Sequence, residues 1–386
     1  MSEKPARARN ARIEALRLVA IAGIAVFHTF QPWFAAATDG AWAAGTATLG
    51  TLGCVNLLGA FGNNVFFLIS GLFLVPAAAR ASSREGFWRD QARRTLRRAA
   101  VIGVTVALYG TCALAVSSWV LPLPGVSLHE TGWLLGGLEF IWVYLVVVTA
   151  SPVIGWVWAR LRRPRAVAWA LVAVTFAVNA YIAFFSPGDE VRGLLEWRKL
   201  MSALTYLVAF LAGGALADAR PAHPERALGA VALAAVALEG GSALAGNLWL
   251  IEALSFKSTS LLSFALAALC VLVARGGAAG GAGGANAIGG ADAAGATDAG
   301  NIAPSEGHAA RLVRALTPSI LGFYVMQSLF HAVWRPVADA ACSAGAELGD
   351  AGIVLLGTAA SLAILAVSLL LDRLVRVPLL RALGLA

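Results

Sequence analysis

Two ionisable residues within one apolar stretch carry the first chemical signal. Arg17 and His28 stand eleven residues apart in a run that reads RIEALRLVAIAGIAVFH from Arg12. At about 100° per residue, that spacing returns to within about 20° of one helix face, about 16 Å further along the axis. A histidine inside a membrane span is costly unless it faces a polar cavity, so function is its default reading, with a hydrogen-bonded core histidine as the alternative. Arg17 alone also reads as a cation snorkelling to an interface. Together they form one polar stripe at two depths: a cation suited to phosphates, and deeper a base whose titration range suits taking a proton from an attacking hydroxyl. Glu14, one turn before Arg17, is spaced to orient the guanidinium as an i,i+3 pair. That set fits acyl transfer from a coenzyme A thioester to a hydroxyl, with Arg17 on the donor and His28 as general base.

The elements that must position this stripe are membrane helices. Of 386 residues 59% are hydrophobic and 13% charged, and the mean hydropathy is +0.76. A bilayer core of about 30 Å needs about 20 apolar residues per helix. Such stretches predict an all-α polytopic membrane protein of about ten spans, near 13–34, 59–78, 99–119, 134–158, 166–185, 201–217, 227–246, 257–274, 316–336 and 351–372. With both termini cytoplasmic, about 24 of the 29 Lys and Arg fall on the inner side, as the positive-inside rule requires. The formal charge of +8 is therefore a topology signal touching lipid, not a nucleic-acid footprint. A plasma-membrane (inner-membrane) location follows. The basic start, the apolar run from Leu18 and the small residues Ala35 to Ala37 also imitate a secretory leader. A retained helix is preferred, because a discarded leader has no need of Glu14, Arg17 and His28.

Residues 1–386 read as one membrane domain, interrupted by a Gly/Ala-rich stretch over 276–310 expected to be a flexible cytoplasmic linker between helices eight and nine, with His308 solvated. Longer outer loops are expected at Gln31 to Leu58, with Trp33 and Trp42 in an interfacial aromatic belt, and at Ser186 to Lys199. Cys54, Cys112, Cys270 and Cys342 lack paired metal spacing, so no metal site is expected. A Cys54–Cys342 disulfide is an open alternative that sequence alone does not support.

The Glu14-x-x-Arg17-x10-His28 pattern resembles the first helix of the acyltransferase-3 family, and Asn64-Val-Phe-Phe-Leu-Ile-Ser-Gly-Leu-Phe-Leu74 is similar to its FF-x-x-SG-x-L element in the next helix. Fainter echoes run through Trp142 to Pro152, Tyr206 to Gly214 and Ser319 to Gln327. Ten spans without an attached extracellular domain look like the stand-alone glycan O-acetyltransferases of the enterobacterial common antigen type. The resemblance implies no bound cofactor, acetyl-CoA as acyl-CoA co-substrate, and an envelope carbohydrate or lipid-linked sugar as acceptor. Where family members often carry a histidine after a late Tyr-x-x element, this chain reads Tyr324-Val-Met-Gln327, with His331 one turn further on.

Two supporting positions keep two readings each. Ser70 is a nucleophile in an acyl relay or, more simply, half of a small pair that permits close helix packing. Glu139 orients His28 or binds sugar hydroxyls, or merely sits at the interface. Gln327 and His331 are hydrogen-bonding groups without an assigned step. The competing function from another class is a carrier or flippase for a lipid-linked glycan that uses His28 as a proton site.

Overall fold

The computed structural model describes residues 10–130, 132–185, 195–256, 259–276 and 308–385. The protein is an all-α polytopic membrane protein, and eight of the described helices are long and apolar enough to cross a bilayer. In chain order these are α1 (Ala11–Thr38), α2 (Thr46–Ala81), α3 (Phe87–Trp119), α5 (Glu139–Trp158), α6 (Pro164–Phe184), α7 (Leu195–Leu216), α8 (Pro224–Leu244) and α14 (Asp350–Ala382). Shorter helices are α4 (Trp133–Gly137), α9 (Leu248–Leu254), α10 (Leu261–Gly276), α11 (His308–Leu316), α12 (Ile320–Leu329) and α13 (His331–Ala346).

The helix starts follow capping chemistry. Asn10 accepts a hydrogen bond from the Arg12 N–H to open α1, and Pro164 and Pro224 open α6 and α8, where a missing N–H costs nothing. The interior is built on α2: 72% of its most apolar window is buried, against 22% for α8 and 28% for α14. Helix α2 packs against α1, α5, α7, α8 and α10, while Leu233, Val236, Leu355, Leu370 and Leu374 leave the flanks of α8 and α14 apolar and open, as lipid-facing surfaces are. Small residues set the closest approach: Gly71 of α2 lies against the Phe210 carbonyl of α7, and Gly213 of α7 against the Leu68 carbonyl. A Cβ at either would meet backbone, so the Ser-Gly pair does pack helices closely.

The structure departs from the expected spans in three places. The first outer loop shrinks to a connection over 39–45, because 46–58 continues α2 with Leu49, Leu52, Asn56 and Leu57 buried at helical spacing. The eighth span appears as the 16-residue α10. The ninth is broken between Leu329 and His331, where Phe330 leaves helical geometry, and the Trp334 indole donates to the Gln327 carbonyl across the break. Residues 277–307, most of the proposed linker, and 186–194 of the second outer loop lie outside the described residues; Gly276 closes α10 and an exposed His308 opens α11. All four cysteines are free thiols, Cys54 on α2 and Cys342 buried on α13. Trp33 and Trp42 pack edge to face at 5.2 Å.

Candidate active site

Because α1 is continuous from Ala11 to Thr38, Arg17 and His28 are carried on one rigid element. The Arg17 guanidinium donates to both carboxylate oxygens of Glu14, at 3.0 and 3.2 Å. Glu14 is only 5% exposed, so the pair fixes the head group instead of leaving it to sweep solvent.

Arg17 opens onto two cavities. A vestibule of about 890 Å³ is lined by Glu14, Arg17, Thr317, Pro318, Arg376 and Arg381 among others. A middle cavity of about 200 Å³ shares Arg17, Thr317 and Pro318 with it and adds Phe66, Ser70, Tyr144, Phe140 and Tyr324. The far cavity, about 290 Å³, holds His28 with Asn63, Glu139, Lys199, Tyr206 and Gln327. Phe140 and Tyr324 line both the middle and the far cavity, their rings stacked at 4.5 Å and 11°. The three spaces thus form a series along α1, with an aromatic wall between the last two.

The wall is part of a larger aromatic cluster. Phe67 of α2 stacks on Tyr206 of α7 at 4.7 Å and 5°, and Phe66 meets Tyr324 edge on. Asn63 donates to the Tyr206 hydroxyl at 2.9 Å, and its carbonyl oxygen accepts from Tyr324 at 3.4 Å. On the other side of the wall, the Ser70 and Tyr144 hydroxyls share a hydrogen bond of 3.2 Å. Among the described residues no histidine lines that middle cavity, so a Ser70 relay has no base beside it there.

Below the vestibule a buried ion pair holds α14. Arg376 donates to Asp372 at 2.6 and 2.9 Å, Tyr109 donates to the same carboxylate at 2.7 Å, and Arg376 also donates to the Pro318 carbonyl. Asp372 is fully buried and Arg376 2% exposed. Gly322 of α12 leaves the room for this pair, since a Cβ there would collide with the Asp372 carboxylate.

Of the residues singled out by sequence, His28, Glu139, Tyr324 and Gln327 come together around the far cavity, Arg17 and Glu14 at the vestibule, and Ser70 in the middle cavity. His331 lies outside the linings of these three cavities, its ring 4.9 Å from that of Trp334. Asn63, Phe140 and Arg335 do not figure among the sequence expectations, and Tyr144, Lys199 and Tyr206 fall within quoted segments without a role. Asn63 adjoins the quoted second-helix motif, and Arg335 is a charge inside a predicted span, a signal that was there to be weighed.

Comparison with curated proteins and with solved structures gives no match. Residues 10–373 match the acyltransferase-3 family, described as an acyltransferase domain. With all three cavities drawing on that span, the chain belongs to the acyltransferase-3 family and is a membrane-bound acyltransferase.

Proposed function

We propose that the protein moves an acyl group, acetyl first, from cytoplasmic acyl-CoA to a hydroxyl of a cell-envelope glycan or lipid-linked sugar, in the manner of stand-alone glycan O-acetyltransferases of the inner membrane. The observation that supports this most is the placement of Arg17 and His28 on one helix but in different cavities. The vestibule takes the phosphates of the donor, beside Arg17 and Arg381, and the acyl arm runs through the middle cavity. The acceptor enters the far cavity, whose amides and hydroxyls from Asn63, Tyr206 and Gln327 and carboxylate from Glu139 suit sugar hydroxyls.

In the reaction His28 takes the proton as the acceptor oxygen attacks the thioester carbonyl, the carbon–sulfur bond breaks, and the coenzyme A thiolate leaves and takes up a proton. The products are one O-acyl ester and one free thiol. Mass spectrometry of envelope glycans from cells with and without the gene tests it. An acyl substituent that disappears with the gene supports the reading and names donor group and acceptor together. Identical glycans, with lipid-linked sugar crossing the membrane and no acyl-CoA consumed, would overturn it in favour of a carrier.

A further inference from the structure

Helix α1 carries a proline at position 32. Proline has no N–H, so the carbonyl four residues earlier loses its helical donor, and that carbonyl belongs to His28. A carbonyl left bare at membrane depth is expensive. Here the vacancy is filled from another helix: Arg335 of α13 donates from Nη1 to the His28 carbonyl at 3.1 Å and to the Thr29 carbonyl at 3.3 Å. Its other two nitrogens are held by Asp339, Nε at 2.8 Å and Nη2 at 2.5 Å. The fork is therefore fixed on one side and turns its remaining nitrogen, Nη1, to α1. One turn of chemistry is also anchored from α14, where the Ser361 hydroxyl donates to the Thr29 hydroxyl at 2.8 Å.

We propose that Arg335 is a positioning residue for His28: it replaces the hydrogen bond that Pro32 removes and so fixes the turn of α1 that holds the imidazole at the far cavity. The inference rests on the reading of His28 as the base. Arg335 itself lines none of the three cavities in series, so it acts through the backbone of His28 and not on the substrate. Arg335 is the fifth residue of α13, which begins at His331 directly after the break.

The test is a double-mutant cycle on the full-length protein in membranes, reading acetyl-CoA consumption with an envelope extract as acceptor, and thermal stability alongside. Arg335→Gln is expected to lower kcat by about 10²-fold, the size of a small misplacement of a catalytic group, with the KM for acetyl-CoA unchanged. Pro32→Ala restores an N–H four residues beyond His28. In that background Arg335→Gln should cost far less, and the non-additivity measures the coupling. An equal loss with and without Pro32, or a normal kcat in Arg335→Gln, overturns the proposal. Should Pro32→Ala fail to insert, Asp339→Asn takes its place: a lower kcat at unchanged KM supports the role, and an unchanged kcat overturns it. His28→Ala is run in parallel. If that variant stays active the reading of His28 fails, whereas an inactive His28→Ala beside a normal Arg335→Gln removes only Arg335.

Discussion

The rings of Phe140 and Tyr324 lie parallel, 4.5 Å apart, in the one wall that the middle and far cavities share. On the proposed route an acyl group passes this pair on its way from the Arg17 side to His28, and the pair then selects which acyl chains cross.

Phe140→Leu narrows the ring wall to an aliphatic one. Each methylene in an apolar pocket is worth about 1–3 kcal/mol of discrimination. The ratio of butyryl-CoA to acetyl-CoA turnover should therefore rise about tenfold. Tyr324→Phe keeps the stack and loses only a long hydrogen bond to Asn63, so it should leave that ratio alone. Parallel initial rates with the two donors read both effects.

At the vestibule, Glu14 accepts two hydrogen bonds from Arg17 while nearly buried. Glu14→Gln keeps the shape but removes the charge that holds the guanidinium. A charge-assisted bond is worth about 1.5–3 kcal/mol, and tenfold is about 1.4 kcal/mol, so the KM for acetyl-CoA should rise about tenfold with kcat nearly unchanged. Donor titrations separate the two constants.

The pair Asp372 and Arg376 is buried on both sides. Asp372→Asn leaves the guanidinium in the interior without its counter-charge, a loss of about 3–5 kcal/mol, whereas Tyr109→Phe removes one neutral-donor bond and stays nearer 1.5–3 kcal/mol. Gly322→Ala drives a methyl into the same carboxylate and should resemble Asp372→Asn. Thermal midpoints in detergent rank the three.

Glu239 of α8 is fully buried, and neither carboxyl oxygen has a hydrogen-bond partner among the described residues. It faces Gly53 of α2. An unpaired buried acid lowers stability, so Glu239→Gln, with the same shape and no charge to lose, should leave activity unaltered and hold or raise the thermal midpoint. A falling midpoint would mean that the acid has a partner the packing does not reveal.

Much of this architecture follows from composition and periodicity. Long apolar runs announce the spans, and the eleven-residue separation of Arg17 and His28 places them on one stripe of a helix that the structure keeps unbroken. Periodicity is silent where tertiary contacts decide. Residues 46–58, rich in Gly, Ala and Thr, look like a loop until α8 covers them, and they become the first turns of α2. The ninth span looks continuous, yet it breaks at Phe330, and Trp334 offers the freed Gln327 carbonyl an indole donor across 7 residues. Asn63 and Tyr206 were invisible as partners because 143 residues separate them. No spacing rule reaches across that distance. His28 was legible as a polar group in a span, but its link to Arg335 needs two helices and a proline to be seen together.

The proposed function divides labour along α1, with donor binding at Arg17 and proton removal at His28. Acetyl-CoA kinetics and equilibrium donor binding of Arg17→Ala and His28→Ala, in membranes carrying equal amounts of inserted protein, address it most directly. His28→Ala is expected to abolish turnover and still bind acetyl-CoA as the parent does, while Arg17→Ala weakens donor binding at least about tenfold and keeps measurable turnover at saturating donor. Normal turnover in His28→Ala, or unchanged donor affinity in Arg17→Ala, would contradict it.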